Sequence, residues 1–307
     1  MDRKADVAAP PKGPLADYRA EGEGWALVTV ALIGIALPLA LAPFVFGATL
    51  PLLGTLLAIT ALSALANLFY MGQLCAQSSP PVGSDPAHVA LRRAAERAAR
   101  VVGVSEKDYR LWIHPDTTRA SAFTMGLHRP WPVFVTQECL TRLGKDEDAL
   151  TAILAHEFSH IRYRHTVVTL FLAAPALGAP WAWLTLPARA ALAGAAQLQE
   201  VTADRGACLC SGPEAFIRAL LTLAGAPLER EAFPALLARW REEERRLGGR
   251  LWRWLGAKHP PMAQRFETLS AYVWGAEYAA RVGAPRAHQD RAYLEGMGLG
   301  RAPTRSR

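Results

Sequence analysis

Polar and apolar positions divide this chain at about residue 72. From Gly24 through Ser84 there is no Asp, Glu, Lys, Arg or His, an uncharged run of about 60 residues where one membrane-spanning helix needs about 20. The run predicts two spans, Trp25 to about Phe46 and about Leu50 to Met71, meeting near Gly47, Ala48 and Thr49, with kinks at Pro38 and Pro43. A cleaved signal peptide would have a far shorter apolar core. After a Ser/Pro/Gly linker the pattern turns amphipathic. Pro86 to Val102 sets Val89, Ala90, Ala94 and Val101 against Arg92, Arg93, Glu96 and Arg100, which predicts a helix. Tyr109 to Ile113, Ser121 to Met125 and Pro132 to Thr136 predict three short strands of a small antiparallel sheet, with turns at His114-Pro115-Asp116 and Gly126 to Pro130. Asp146 then caps a helix running to about Arg164, and helices follow at about Ala190 to Cys210, Pro213 to Ala224, Glu229 to Leu247 and Pro261 to Val282.

The expected fold is therefore mainly α with a small antiparallel sheet, an α+β domain preceded by a two-helix transmembrane hairpin. Its parts are a polar tail (1–23), the hairpin (24–72), a linker (73–85), the main domain (86–285, with an apolar insertion at about 166–188) and a basic, loosely held tail (286–307).

Composition narrows the function. At 307 residues, 51% of them hydrophobic and only 20% charged, the chain has enough apolar surface for a catalytic-sized core and is not disordered. The formal charge of +7 comes mostly from arginines interleaved with Glu and apolar helix positions, without an aromatic-basic motif, so no nucleic-acid partner is expected. The four cysteines, Cys75, Cys139, Cys208 and Cys210, form neither a disulfide framework nor a CxxC ribbon and fit a reducing compartment. Cys208 and Cys210 fall about 200° apart on a helix and read as core thiols. His165, with Arg162 and Arg164, reads as a membrane-proximal basic edge, and Arg241 to Arg246 as a solvated charged face.

The candidate chemistry lies on the Asp146 helix, in Ile153-Leu154-Ala155-His156-Glu157-Phe158-Ser159-His160. Histidines four apart on a helix share one face, so His156 and His160 can reach one zinc ion while Glu157 flanks its open position. The extended pattern with Gly at 163 and His at 166 is absent, since Tyr163 and Thr166 stand there. About 40 residues on, Glu200-Val201-Thr202-Ala203-Asp204 supplies two carboxylates four apart: Glu200 can bind the metal and Asp204 can accept a hydrogen bond from the far nitrogen of a ligand histidine. Two neutral imidazoles and one carboxylate leave a fourth position for water.

In these residues the chain resembles the M48 family of membrane zinc metallopeptidases, which includes the HtpX-like proteases and the CAAX prenyl proteases. Three elements carry the likeness in order: His156 to His160 as HExxH, Glu200 to Asp204 as ExxAD, and His259-Pro260-Pro261 with Arg265 as a late HPPxxxR-like element. Ser121-Ala122-Phe123 takes the place of the family's Asn-Ala-Phe. The resemblance spans about Val89 to Tyr272 and implies one zinc held by His156, His160 and Glu200, with Glu157 as general base. Two predicted spans look more like the HtpX side than the many-span prenyl proteases.

The 166–188 insertion cannot cross the bilayer once, because that would put Glu200 across the membrane from the histidines. It is read as an apolar helical hairpin that dips into or rests on the bilayer, with a soluble helical pair in the core as the alternative. The expected activity is hydrolysis of peptide bonds in unfolded or flexible segments, in membrane protein quality control. Substrate would lie extended along Ala120 to Met125, against Ser121, Ala122 and Phe123, and His259 would donate to the developing oxyanion, with Arg265 holding it or the substrate. The alternatives are a catalytically silent metal-binding scaffold and a CAAX-type prenyl protease. Intact Glu157 disfavours the first, and the small number of helices the second.

Arg3, Lys4, Lys12 and Arg19 precede the first span, Arg92, Arg93, Arg97 and Arg100 follow the second, and none lies between, so both flanks and the catalytic domain are expected in the cytoplasm, anchored to the cell membrane. A reporter that is active only outside the cytoplasm, fused after Gly72 or at Arg307, should stay silent. An active fusion would invert the orientation.

Overall fold

The computed structural model of the protein describes residues 15, 17–32, 49–81, 84–167, 182–246 and 260–300. Its elements are α1 (Glu23–Ala31), α2 (Thr49–Gln77), α3 (Pro86–Val102), β1 (Tyr109–His114), β2 (Ala122–Thr124), β3 (Trp131–Thr136), α4 (Gln137–Leu143), α5 (Glu147–Arg162), α6 (Ala182–Leu223), α7 (Phe233–Arg246), α8 (Met262–Trp274), α9 (Ala276–Val282) and α10 (Ala284–Gly296). The domain is mainly helical with one small sheet.

Local sequence explains the frame. Asp85 caps α3 by accepting from the Ala87 amide at 2.8 Å, Pro86 takes the first turn, and Gly103 at φ 85° ends the helix in a left-handed turn that allows no side chain at low cost. The apolar stripe of α3 (Leu91, Ala94, Ala95, Ala98, Val102) is buried, and α3 packs on α5. Asp146 caps α5 through the Ala149 amide and also takes Arg218 Nε from α6 at 2.6 Å, so one carboxylate fixes the start of α5 and its position on α6. Burial alone would raise the Asp146 pKa, but the bonds and charge of Arg218 hold it below the usual carboxylate range.

The sheet corrects one expectation. Its order is β1-β3-β2; β2 pairs antiparallel with β3, but β1 runs parallel to β3 from Tyr109↔Trp131 to His114↔Thr136. The sheet is mixed. The physical reason lies in residues 115–121: Asp116 Oδ1 accepts from the amides of Thr118 and Arg119, turning the chain so that β2 is laid beyond β3 rather than against β1. The short loop from β2 then returns as a hairpin into β3. β3 is wholly buried, and β2, partnered along one edge only among the described residues, lies against α5.

Two further differences concern helix ends. The expected break near Ser211 is present within α6, where Gly212 has φ 87° and ψ 160°, outside the range of ordinary side chains. The helix expected over 261–282 divides at Gly275, whose ψ of 158° is extended. The segment after Pro285, expected to be loosely held, forms α10: Ala287, Leu294, Met297 and Leu299 are buried, and Arg291 donates to the carbonyls of Val273 and Gly275 at the end of α8. Residues 301–307 lie outside the described residues.

The transmembrane hairpin is not shown. Its turn and most of its first arm, 33–48, lie outside the described residues, and over the described residues no helix is long and apolar enough to cross a membrane. Its second arm is part of the helix α2, which continues to Gln77 and exposes Leu57, Leu62, Leu65, Phe69 and Tyr70. The first arm begins as α1, which packs on α6 with Val30 buried while Trp25 is 77% exposed. Most of the 166–188 insertion, 168–181, is likewise outside the described residues, and α6 is already helical from Ala182.

Candidate metal centre

α5 and α6 share the most extensive contact in the domain, and small residues make it close. Ala152 and Ala155 of α5 and Ala203 and Ala207 of α6 are fully buried. At Gly206 an added Cβ would come within 2.2 Å of Ser159 Oγ, so the backbone of α6 approaches α5 more closely there than any side chain would permit. That approach brings the two motifs face to face.

Ligand-type atoms of His156, His160 and Glu200 all lie within 4.8 Å of one another. His156 Nε2 is 3.3 Å from His160 Nε2, and Glu200 stands 3.4 Å from His156 Nε2 and 3.6 Å from His160 Nε2. Ligands about 2.0–2.1 Å from a tetrahedral zinc are separated from each other by about 3.3 Å. The three donors therefore fit one face of such a tetrahedron, with the fourth vertex left for water or substrate. A His/His/carboxylate set suits zinc by donor chemistry.

Behind His156 stands Asp204, with Oδ1 at 2.9 Å from His156 Nδ1. A carboxylate can only accept, so the proton of His156 is drawn to Nδ1 and the Nε2 lone pair is left for the site. Burial by itself would lower the His156 pKa, but contacts with Asp204 and Glu200 and their negative charge outweigh it and push it up to about 10. The pocket thus attracts positive charge. Asp204 is held in turn by Arg265: Nε donates to Oδ2 at 2.9 Å and Nη2 to Oδ1. Although burial would raise its pKa, Asp204 stays below the usual carboxylate range because of the Arg265 charge.

Sequence reasoning placed Arg265 near the oxyanion or substrate. The structure places it on Asp204, with its side chain 11% exposed and its guanidinium lying 5.8 Å over the Phe216 ring. Phe216 also stacks on His156 at 6.2 Å, so the return of the chain after Gly212 supplies an apolar backing to both. Glu157, one residue on from His156, is buried; burial pushes the Cys139 thiol up to about 12, and the nearby charge of Glu157 adds to that shift. Cys208 and Cys210 are buried, unpaired thiols. Ser121 accepts β-ladder bonding from β3 through the Thr136 amide, Ala122 and Phe123 lie in β2, and His259 lies outside the described residues.

The residue most underestimated from sequence is His165. Far from forming a basic edge, it is buried, and its Nδ1 lies 2.9 Å from Nδ1 of His160. Positions five apart do not share a helix face, so spacing gave no signal; Arg164, in the left-handed region at φ 55°, turns the chain back and makes the contact.

A sequence model of peptidase family M48 matches residues 87–273. No curated protein and no solved structure matches the chain.

Exchanging Asp204 for Asn removes the negative charge behind His156 and turns one of its two acceptor atoms into a donor at almost constant volume, so zinc affinity from chelator competition should fall about 10- to 100-fold, with activity partly restored by excess zinc. Unchanged affinity would show that Asp204 does not orient the histidine.

Proposed function

The chain belongs to peptidase family M48, and on that premise we propose that it is a membrane-anchored, zinc-dependent endopeptidase acting on unfolded or flexible protein segments. The observation that carries this reading is the 3.3–3.6 Å spacing of the donor atoms of His156, His160 and Glu200, which suits one tetrahedral ion with an open vertex. When bound there, zinc supplies Lewis acidity to the scissile carbonyl and to the attacking water. The other steps fall to side chains of this chain. Glu157 takes the proton of the attacking water and returns it to the nitrogen of the leaving amine, so no covalent intermediate is required. Asp204, fixed by Arg265, keeps His156 in the tautomer that coordinates.

Substrate selection follows from β2. Its outer edge is a template for one more extended strand, and main-chain pairing there favours peptides free of their own structure over folded surfaces. Such a preference fits quality control. Anchoring is supported by the uncharged run 24–84 and by the large apolar side chains that α2 exposes, Phe69 being 70% accessible, a surface that water does not favour. The arginines flanking that run support a cytoplasmic catalytic domain.

Replacing Glu157 by Gln preserves size and leaves the donor triad alone. Casein hydrolysis by detergent-purified protein should fall by about 10² or more, and stop in wild type on chelation, while zinc content stays near one equivalent. Undiminished hydrolysis by this variant would remove Glu157 from the role of base.

A further inference from the structure

The two ligand histidines are not treated alike. His156 is backed by Asp204 and Arg265 from within the family-matched residues. His160 is backed by His165, and His165 by Glu23, which comes from a segment outside the family-matched residues.

That segment is the chain just before α1, which runs across α5 and α6 as a strap. Leu15 donates its amide to Val101 and its carbonyl accepts from Arg162 Nη2 at 2.6 Å. The amide of Tyr18 donates to Tyr163 Oη at 3.0 Å. Ser159 Oγ already donates to the Ala155 carbonyl, so the fully buried Tyr18 hydroxyl donates to Ser159 at 2.7 Å. Ala20 donates its amide to Thr202 Oγ1 at 2.7 Å. The strap ends at Glu23, a carboxylate only 2% exposed, which accepts from Thr202 Oγ1 and stands 3.0 Å from His165 Nε2. That contact is an ion-pair approach rather than an aligned hydrogen bond, and among the described residues the buried His165 Nε2 has no hydrogen-bond partner, which leaves the Glu23 carboxylate as its polar neighbour.

A carboxylate cannot donate, so the His165 nitrogen facing Glu23 carries the proton. Nδ1 of a neutral His165 is then an acceptor, and Nδ1 of His160 has to donate to it across 2.9 Å. His160 is thereby left with an unprotonated Nε2, the atom 3.3 Å from His156 Nε2 and one of the three donors of the site. The order of donors and acceptors runs in one direction from Glu23 to the metal face.

We propose that Glu23 and His165 are positioning residues of the metal centre, a carboxylate–imidazole relay through which the strap fixes the tautomer and ring orientation of His160. This rests on the metallopeptidase reading of the site. It makes Glu23, at the end of that segment, part of the centre, and it accounts for a charged side chain buried at the base of an otherwise uncharged stretch.

The test is a set of metal titrations on the full chain: zinc affinity from chelator competition, and the visible spectrum of the cobalt(II)-substituted protein, which reports the ligand field. Glu23→Gln presents an amide N–H to His165, moves the proton of His165 to Nδ1, and leaves His160 protonated at the nitrogen the metal requires. Zinc affinity should fall about 10- to 100-fold and the cobalt spectrum should change. His165→Leu should do the same, whereas His165→Gln should stay close to wild type, because its amide oxygen can accept from His160 and its amide nitrogen can face Glu23. Tyr18→Phe, which loosens the strap without touching the relay, should lower the melting temperature and leave zinc affinity unchanged.

Wild-type affinity and spectrum in Glu23→Gln would overturn the relay alone. So would a fall in affinity for Tyr18→Phe equal to that for Glu23→Gln, because the strap would then act only through stability. If Glu23→Gln does not fold, the His165→Leu and His165→Gln pair decides, and equal affinities in the two would overturn the proposal. A wild-type chain that took up neither ion would overturn the metallopeptidase reading itself, and the relay with it.

Discussion

Two imidazole nitrogens and a carboxylate held 3.3–3.6 Å apart inside a helical core have lost most of their water, and the rest of the domain answers to that cost. Groups of this kind are costly to bury unless a cation is shared among them or their outer atoms are fully paired. Pairing is what the surrounding helices supply. Asp204 and Arg265 stand behind one imidazole, while His165 and Glu23 stand behind the other, so each ligand ring has an acceptor on the side away from the metal face. The Glu200 and Asp204 carboxylates against His156, whose charge raises its pKa, favour positive charge in the pocket.

The same requirement sets the packing. Bringing Glu200 within reach of two residues of α5 demands that the helices approach closely, and alanines together with Gly206 allow it. Asp146 and Arg218 pin the far end of the pair, and Gly212 breaks α6 so that its second half can turn Phe216 back against His156 and Arg265. The sheet is fixed against the same helix: β3 is buried and β2 is laid beside α5.

Much of this was legible in the sequence because it depends on short-range periodicity. The four-residue spacing of His156 with His160 and of Glu200 with Asp204 put each pair on one helix face, and the capping signal at Asp146 located the start of α5. What was not legible depends on chain reversals. The parallel pairing of β1 with β3 follows from the turn at Asp116, which a strand pattern does not encode. Arg265 was aimed at the substrate because spacing cannot tell a guanidinium that meets Asp204 from one that meets an oxyanion. His165 and Glu23 escaped notice for a related reason: one reaches His160 through a left-handed residue that pattern reading does not foresee, and the other arrives from far along the chain on the strap.

The central claim is that His156, His160 and Glu200 together hold one ion. Elemental analysis of the purified full chain, beside His156→Ala and Glu200→Ala, tests it most directly. One zinc per chain in the wild type and a marked loss of zinc in both variants are expected; a full equivalent of zinc retained after either substitution would contradict the assignment.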